Sequence, residues 1–361
     1  MLAITLKPGV ANSAQVSDVP PPDIADGPML VRTLALGVCG TDRDILGGLY
    51  GSAPSGAEEL ILGHESLGTV VEAPADCGFA PGDRVVGIVR RPDPLPCPAC
   101  AVGEWDMCGN ELYTERGIKG RHGYGAELFR IEPTFAIRIP DGLGNLGVLV
   151  EPASIVAKAW DHIERIGARS RSWRPRTLLV TGAGPIGLLA ALLGAQRQLD
   201  VHVFDRTPGG VKRDLVHALG GTYHSGSLAD LKVAADVILE CTGAVPVMVE
   251  MVAHGAADAI MCLLGLPHGA SERTYDVAAL GRAMVLGNQV MVGTVNANRS
   301  HYEAAVAALA KAPRDWLARL ITRHVPLSQW QDAVKHRPGD IKNVVIFAGE
   351  WNVPGVSAAS R

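Results

Sequence analysis

Thr177-Leu178-Leu179-Val180-Thr181-Gly182-Ala183-Gly184-Pro185-Ile186-Gly187 is a short apolar run that ends in a G-x-G-x-x-G turn, and the apolar stretch Leu188 to Ala195 continues it. The run predicts a strand and the stretch after it a helix. In that setting Gly182 makes the turn, Gly184 lets a pyrophosphate approach the backbone, and Gly187 lets helix pack on strand. The helix N-terminus then faces the phosphates, with Pro185 and Ile186 inside the turn. A second apolar run, Asp200 to Phe204, ends in Asp205, eighteen residues after Gly187, where the acidic residue of such folds meets the adenosine ribose diol. Two more runs, Ala235 to Gly243 and Ala259 to Gly265, end in glycine and read as buried parallel strands. The expectation is an α/β doubly wound parallel sheet that binds a dinucleotide, with Thr242, Gly243, Leu264 and Gly265 as further cofactor contacts at its strand ends.

Asp205 also bears on which dinucleotide is bound. A carboxylate there accepts hydrogen bonds from both ribose hydroxyls and repels a 2′-phosphate, which favours NAD over NADP. Arg206 beside it has the opposite tendency, because a guanidinium stacks on adenine or pairs with that phosphate, so NADP is kept as the second cofactor. The uncharged stretch Thr177 to Gln196 has the length of a transmembrane helix, but its glycines and proline cut it into a strand and a helix. No membrane association is expected.

Toward the N-terminus the pattern changes. Short apolar runs alternate with Gly and Pro, at Leu30 to Val38, Gly68 to Ala73 and Gly82 to Val89, as in a compact β-rich domain. Cys39-Gly40-Thr41-Asp42 follows directly on one of these runs, and Gly63-His64-Glu65 is bracketed by two others. With Glu151-Pro152 further on, a thiolate, an imidazole and two carboxylates are available, which is a zinc-compatible donor set. Proline-dense Pro92 to Cys100 forbids regular structure, and Cys97, Cys100 and Cys108 suggest a small metal lobe. Three cysteines do not close a tetrahedral site; Asp93, Glu104, Asp106 or a water would be the fourth ligand, and a lobe packed without metal is the alternative. Glu115, in Thr114 to Ile118, reads as an exposed charge with a substrate-facing alternative, and His122 as a loop histidine.

At 361 residues the chain exceeds one hydrophobic core, and 47% apolar residues with only 5% aromatics imply cores of Ala, Val, Leu and Ile. A formal charge of −4 without a basic run gives nucleic acid no footprint and suits a small polar substrate. Met1 to Pro8 lacks the pattern of a signal peptide, and seven cysteines are an odd number, so free thiols or metal ligands in a cytoplasmic protein are expected. The C-terminal part predicts a helix over 300–312, strands over 320–325 and 343–347, a helix over 327–336 and a frayed tail over 350–361.

Taken in order, Cys39-Gly40-Thr41-Asp42, Gly63-His64-Glu65 with Gly68, the cysteine lobe, Glu151-Pro152 and the dinucleotide fingerprint resemble the zinc-dependent medium-chain dehydrogenase/reductases over nearly the whole length. Thr114-Glu115-Arg116-Gly117-Ile118, Val295-Asn296 and a Glu before Pro152 look like the glucose 1-dehydrogenase branch, and more loosely like sorbitol or threonine dehydrogenases. The resemblance implies a GroES-like catalytic domain over 1–150 and 294–361, a Rossmann domain over 151–293, and a site in the cleft between them. By the family pattern Cys39, His64 and either Glu65 or Glu151 would hold catalytic zinc, with Asp42 orienting His64. Zinc would stabilise a substrate alkoxide so that a hydride passes to nicotinamide; Thr41 resembles the family hydroxyl that relays the proton toward the cofactor ribose, a turn hydrogen bond being its alternative role, and Asp44 would continue the relay. Glu115 and Asn296 would contact hydroxyls of a polyhydroxylated substrate, and a homodimer or homotetramer is implied.

Two departures qualify the resemblance. Pro94 stands where the first lobe cysteine would be, which weakens structural zinc, and Ile155 stands where a sugar-binding carboxylate is expected, so a polyol, another sugar or a cyclitol fits as well as glucose. An amino alcohol dehydrogenase, a metal-free enone or quinone reductase and a non-catalytic nucleotide sensor are the competing readings.

Overall fold

Apolar runs separated by glycine turns build a six-stranded, all-parallel sheet between residues 177 and 293 of the computed structural model, which describes residues 1–267, 274–349 and 351. Across the sheet the strands run Thr222–His224, Asp200–Phe204, Thr177–Thr181, Ala235–Glu240, Gly255–Leu263, Val290–Gly293. The order reverses beside Thr177–Thr181, and in open α/β sheets ligands bind outside the carboxyl ends of the strands at that switch point. The turn after Thr181 and the loop after Glu240 both lie there. Helix Pro185–Gln196 carries no charge and is buried along its middle, with Pro185 in its first turn, where no N–H is needed. A Cβ at Gly187 would lie 1.7 Å from Gly182 O, so only glycine allows the helix this close to the turn.

This sheet belongs to one of two units, Ile155–Val295; the other comprises Met1–Ser154 and the chain from Asn296 onward. In the second of these a seven-stranded sheet is centred on the ten-residue strand Met29–Val38. Glu65–Glu72 pairs antiparallel on one side of it, with Gly37 opposite Glu65, and Lys342–Ile346 pairs on the other, with Asn343 opposite Val38. These registers bring three separate segments to one end of the sheet. Aliphatic side chains such as Ile4, Leu6, Leu36, Leu62 and Val85 form the core of this unit with Tyr124 and Phe129, and each large apolar side chain so buried contributes about 1.5–3 kcal/mol.

The proline-dense lobe is more regular than its composition suggested. Pro98–Ala101 forms one helical turn with Pro98 at its first position, the place in a helix that tolerates proline, and Trp105–Met107 forms a 3-10 turn. Where one helix was expected over 327–336, a 3-10 turn at Leu327–Gln329 leads into the helix Trp330–Val334. The expected frayed tail lies outside the described residues except for Trp351. Among the described residues no helix is long and apolar enough to cross a membrane.

Candidate functional site

Strand Met29–Val38 ends directly in Cys39, which begins the helix Gly40–Leu46, and His64 immediately precedes strand Glu65–Glu72. The paired registers set Cys39 Sγ 3.1 Å from His64 Nε2. Ligand atoms of Cys39, His64 and Glu65 all lie within 4.8 Å of one another. Asp42, buried in the first helical turn, accepts from the Cys39 N–H at 2.9 Å and lies 3.3 Å from His64 Nδ1. This leaves Nε2 for the thiol side, the orientation a carboxylate gives a metal-binding imidazole. Burial works against an imidazolium at His64, yet the Cys39 and Asp42 groups raise its pKa well above the usual value.

The two glutamates are in different situations. Glu65 is already neutralised: Lys342 Nζ donates to both its carboxylate oxygens at 2.6 Å and to Val38 O at 3.2 Å, with both residues about 2% exposed or less. Glu151, in the first turn of helix Val150–Gly167, stands outside the tight cluster and has no side-chain partner among the described residues. Burial, with the Glu65 charge adding to it, pushes its carboxyl up to about 7 against the pull of His64 and Lys342. Cys39 and His64, with either Glu65 or Glu151, offer a donor set that fits zinc, a soft donor, an imidazole and a buried carboxylate; Lys342 occupies both oxygens of Glu65, whereas no side chain among the described residues bonds those of Glu151. Lys342 was not found from sequence, because a lysine opening an apolar strand looks like any strand end. Thr41 is half-buried one residue into the helix after Gly40, and its hydroxyl makes no hydrogen bond among the described residues.

Glu115 is not exposed. It is 4% accessible, and its Oε1 accepts from Arg90 Nε at 3.1 Å, Arg90 Nη2 at 2.9 Å and Asn296 Nδ2 at 2.6 Å. Two charge-assisted bonds from one guanidinium hold the carboxylate in the interior. Oε2 has no partner among the described residues, so the group keeps one oxygen for an incoming hydroxyl. Asn296 adopts the left-handed conformation that Asn tolerates, with φ 63°. Arg90 was not singled out in the sequence, and neither was the adjoining Asn298, whose Nδ2 donates to Asp106 Oδ1 at 2.8 Å.

In the parallel-sheet unit Asp205 is not a bare carboxylate. Its Oδ2 accepts from Ala183 N at 2.7 Å inside the glycine turn, its Oδ1 accepts from Thr207 N at 2.8 Å, and Lys212 Nζ lies 3.4 Å away. Although burial opposes the charge, these backbone N–H groups and Lys212 lower its pKa. Arg206 is exposed and makes no side-chain hydrogen bond or ion pair among the described residues. The strand ends Thr242-Gly243 and Leu264-Gly265 are tied together by Glu240, which is fully buried at the end of a strand read as uncharged. Its carboxylate accepts from the N–H of Thr242 at 2.7 Å and of Gly243 at 3.2 Å, and its backbone oxygen accepts from the N–H of Leu264 and Gly265.

In the lobe, the sulfurs of Cys97, Cys100 and Cys108 also lie within 4.8 Å of one another, without a fourth donor in the group. Backbone N–H groups of Cys100 and Gly109 pull the Cys97 thiol down to about 6, whereas burial pushes Cys100 up to about 11. Of the carboxylates weighed as a fourth ligand, Asp106 is engaged by Asn298, and Asp93 keeps a buried oxygen without a partner.

The chain is similar to known proteins over nearly its whole length. Residues 25–141 match the alcohol dehydrogenase GroES-like domain, and residues 144–347 match the glucose dehydrogenase C-terminus. Glucose 1-dehydrogenase of Methanocella arvoryzae is 39% identical over 96% of this chain and 99% of the relative, and glucose 1-dehydrogenase 2 of Vulcanisaeta moutnovskia is 38% identical over the same shares. Among solved structures, the glucose dehydrogenase of Haloferax mediterranei in complex with NADP, Zn and gluconolactone superposes with a TM-score of 0.89 at 34% identity, covering 97% of this chain and all of that one.

Proposed function

The chain belongs to the glucose dehydrogenase branch of the zinc-dependent medium-chain dehydrogenase/reductases, an NAD(P)-dependent sugar dehydrogenase, and from that premise we propose that it oxidises the anomeric hydroxyl of an aldose to the lactone. One observation carries the choice of an aldose over a simple alcohol. Glu115 is buried, clamped by Arg90 and Asn296, and retains a free oxygen. A site built to bond hydroxyls rejects analogues that lack them, because its buried polar group is then left unpaired.

In this reading Cys39, His64 and Glu151 hold the zinc, which when bound lowers the pKa of the substrate hydroxyl so that its carbon can give a hydride to the nicotinamide. Asp42 fixes the His64 ring through Nδ1, and Lys342 cancels the Glu65 charge so that only one glutamate answers to the metal. Thr41 relays the proton of the substrate hydroxyl, accepting it at Oγ from the substrate oxygen as it gives up its own, and Glu115 with Asn296 orients the sugar. The glycine turn at Gly182, Gly184 and Gly187 receives the pyrophosphate. Asp205 is offset by Lys212, so with Arg206 the adenosine end is net positive and admits NADP as well as NAD.

A second copy of the chain is the proposed partner. The edge strand Val290–Gly293 pairs on one side alone among the described residues, and Val285 and Leu286 on the preceding helix are more than 75% exposed. The functional test is the rate of NAD(P)H formation by zinc-loaded protein with D-glucose, D-galactose and D-xylose, against sorbitol and 2-propanol. Lactone from the aldoses alone is expected; turnover of sorbitol without the aldoses would move the assignment to the polyol dehydrogenases.

A further inference from the structure

Among the described residues three arginines are buried in the unit formed by Met1–Ser154 and the chain from Asn296: Arg90, Arg91 and Arg116. Two have a carboxylate, since Arg90 is paired with Glu115 and Arg91 with Glu132 at 3.0 Å. Arg116 has none. Its Nη1 donates to His122 O at 3.2 Å, its Nη2 donates to Arg130 O at 2.7 Å and Asp26 O at 3.3 Å, and its Nε has no partner although it is shielded from solvent. Burial lowers its pKa to about 10, which still leaves it charged at neutral pH. No carboxylate bonds this guanidinium: Glu132 attracts it from a distance but is paired with Arg91 and Arg121, and the Tyr124 ring lies 5.4 Å from it, so a buried cation is left without a bonded counter-ion.

Against it lies a cavity of about 540 Å³, formed entirely within residues 1–130. Its buried side includes Arg116, Thr5, Ala126 and Phe129, its walls include Val19, Pro22, Ile61 and Leu128 together with the half-buried Asp26, Glu59 and Arg130, and Lys7, Asp23, Ala57 and Glu58 are exposed at its mouth. His122 lines it too. Since His122 Nδ1 accepts from the Ile61 N–H at 3.1 Å, the neutral ring carries its proton on Nε2, which has no partner among the described residues. Burial lowers the His122 pKa and favours that neutral form. Arg116 Nε and His122 Nε2 thus offer two unpaired donors beside apolar surface, and the lining carboxylates Asp23, Asp26, Glu58 and Glu59 are matched by the Met1 ammonium, Lys7, Arg116 and Arg130.

We propose that this cavity is a second ligand site, for a small monocarboxylate with an apolar body, its carboxylate on Arg116 and His122 and its body against Pro22, Leu128 and Phe129. The carboxylates at the mouth disfavour dianions such as phosphate esters. None of the lining residues is assigned to zinc, sugar or nucleotide, so the proposal stands independently of those assignments. Its position is nonetheless close to them in the chain: Arg116 follows Glu115 on strand Thr114–Arg116, where successive side chains point to opposite faces, and the N–H of Gly123 bonds Ile61 O three residues before His64.

The test is calorimetric titration of the full-length protein with benzoate and with its neutral isostere benzamide. Saturable one-to-one binding of benzoate is expected, at least tenfold tighter than benzamide, unaffected by saturating D-glucose and NADP. Arg116→Gln should weaken it tenfold or more, and Ala57→Trp, an exposed change at the mouth, should abolish it while sugar oxidation is retained. If Arg116→Gln does not fold, the Ala57→Trp and benzamide comparisons still decide. No saturable benzoate binding, equal binding of benzamide, displacement by glucose, or undiminished binding to Ala57→Trp would each overturn the proposal.

Discussion

Replacing Lys342 by Met separates the two halves of the most buried ion pair near the catalytic cluster. The ammonium donates to both Glu65 oxygens at 2.6 Å, and both side chains are 2% accessible. Once the lysine is gone, Glu65 either stays ionised without a counter-ion in the interior or takes up a proton. Removing one partner of such a pair costs about 3–5 kcal/mol. At about 2–4 °C per kcal/mol for a domain of this size, the melting temperature should fall by about 6–20 °C. Melting followed by circular dichroism in metal-free protein reads this directly, because bound zinc would add its own stabilisation. Adding Glu65→Gln to Lys342→Met removes the stranded charge and should recover most of the loss. A fall below about 1 kcal/mol, the range of exposed pairs, would refute the reasoning, as would a double variant no more stable than Lys342→Met alone.

Gly37→Ala places a Cβ 2.0 Å from Glu65 Oε2; the displaced carboxylate should cost about 1–3 kcal/mol, seen in urea midpoints. Asp205 has a depressed pKa in the folded chain, so its contribution is complete above its unfolded pKa of about 3.9 and disappears as pH falls through the folded value. Asp205→Asn should therefore flatten the acid limb of a stability-against-pH profile below about pH 4 and leave the shape above it unchanged. Arg206→Ala should raise the KM for NADP about tenfold, the equivalent of about 1.4 kcal/mol, with little change for NAD. An equal effect on both cofactors would place Arg206 on the adenine rather than on the phosphate.

The features legible in the sequence are those with a local period or a local turn. Leu178 to Val180 and Gly182 to Gly187 announce strand, turn and helix because each constraint falls within a few residues, and Cys39-Gly40-Thr41-Asp42 shows as a strand end for the same reason. Partners set by strand register were not legible. Lys342 meets Glu65 across 277 residues and Asn296 meets Glu115 across 181, and neither end of these pairs carries a mark that names the other. Glu115 looked like a surface charge because only Arg90 and Asn296 together make its burial tolerable. Glu240 passed as part of an apolar strand because the four N–H groups it gathers come from two loops. Pro98 was taken as a breaker, whereas at the first position of a helix it costs nothing.

The most direct test of the central claim is zinc content per chain and NADP-linked oxidation of D-glucose, measured side by side for the wild type, His64→Ala, Glu151→Gln and Glu65→Gln. The donor set inferred for Cys39, His64 and Glu151 predicts that His64→Ala and Glu151→Gln lose both zinc at this site and turnover, while Glu65→Gln keeps most of its zinc. Retention of full zinc and full activity by His64→Ala and Glu151→Gln would contradict it.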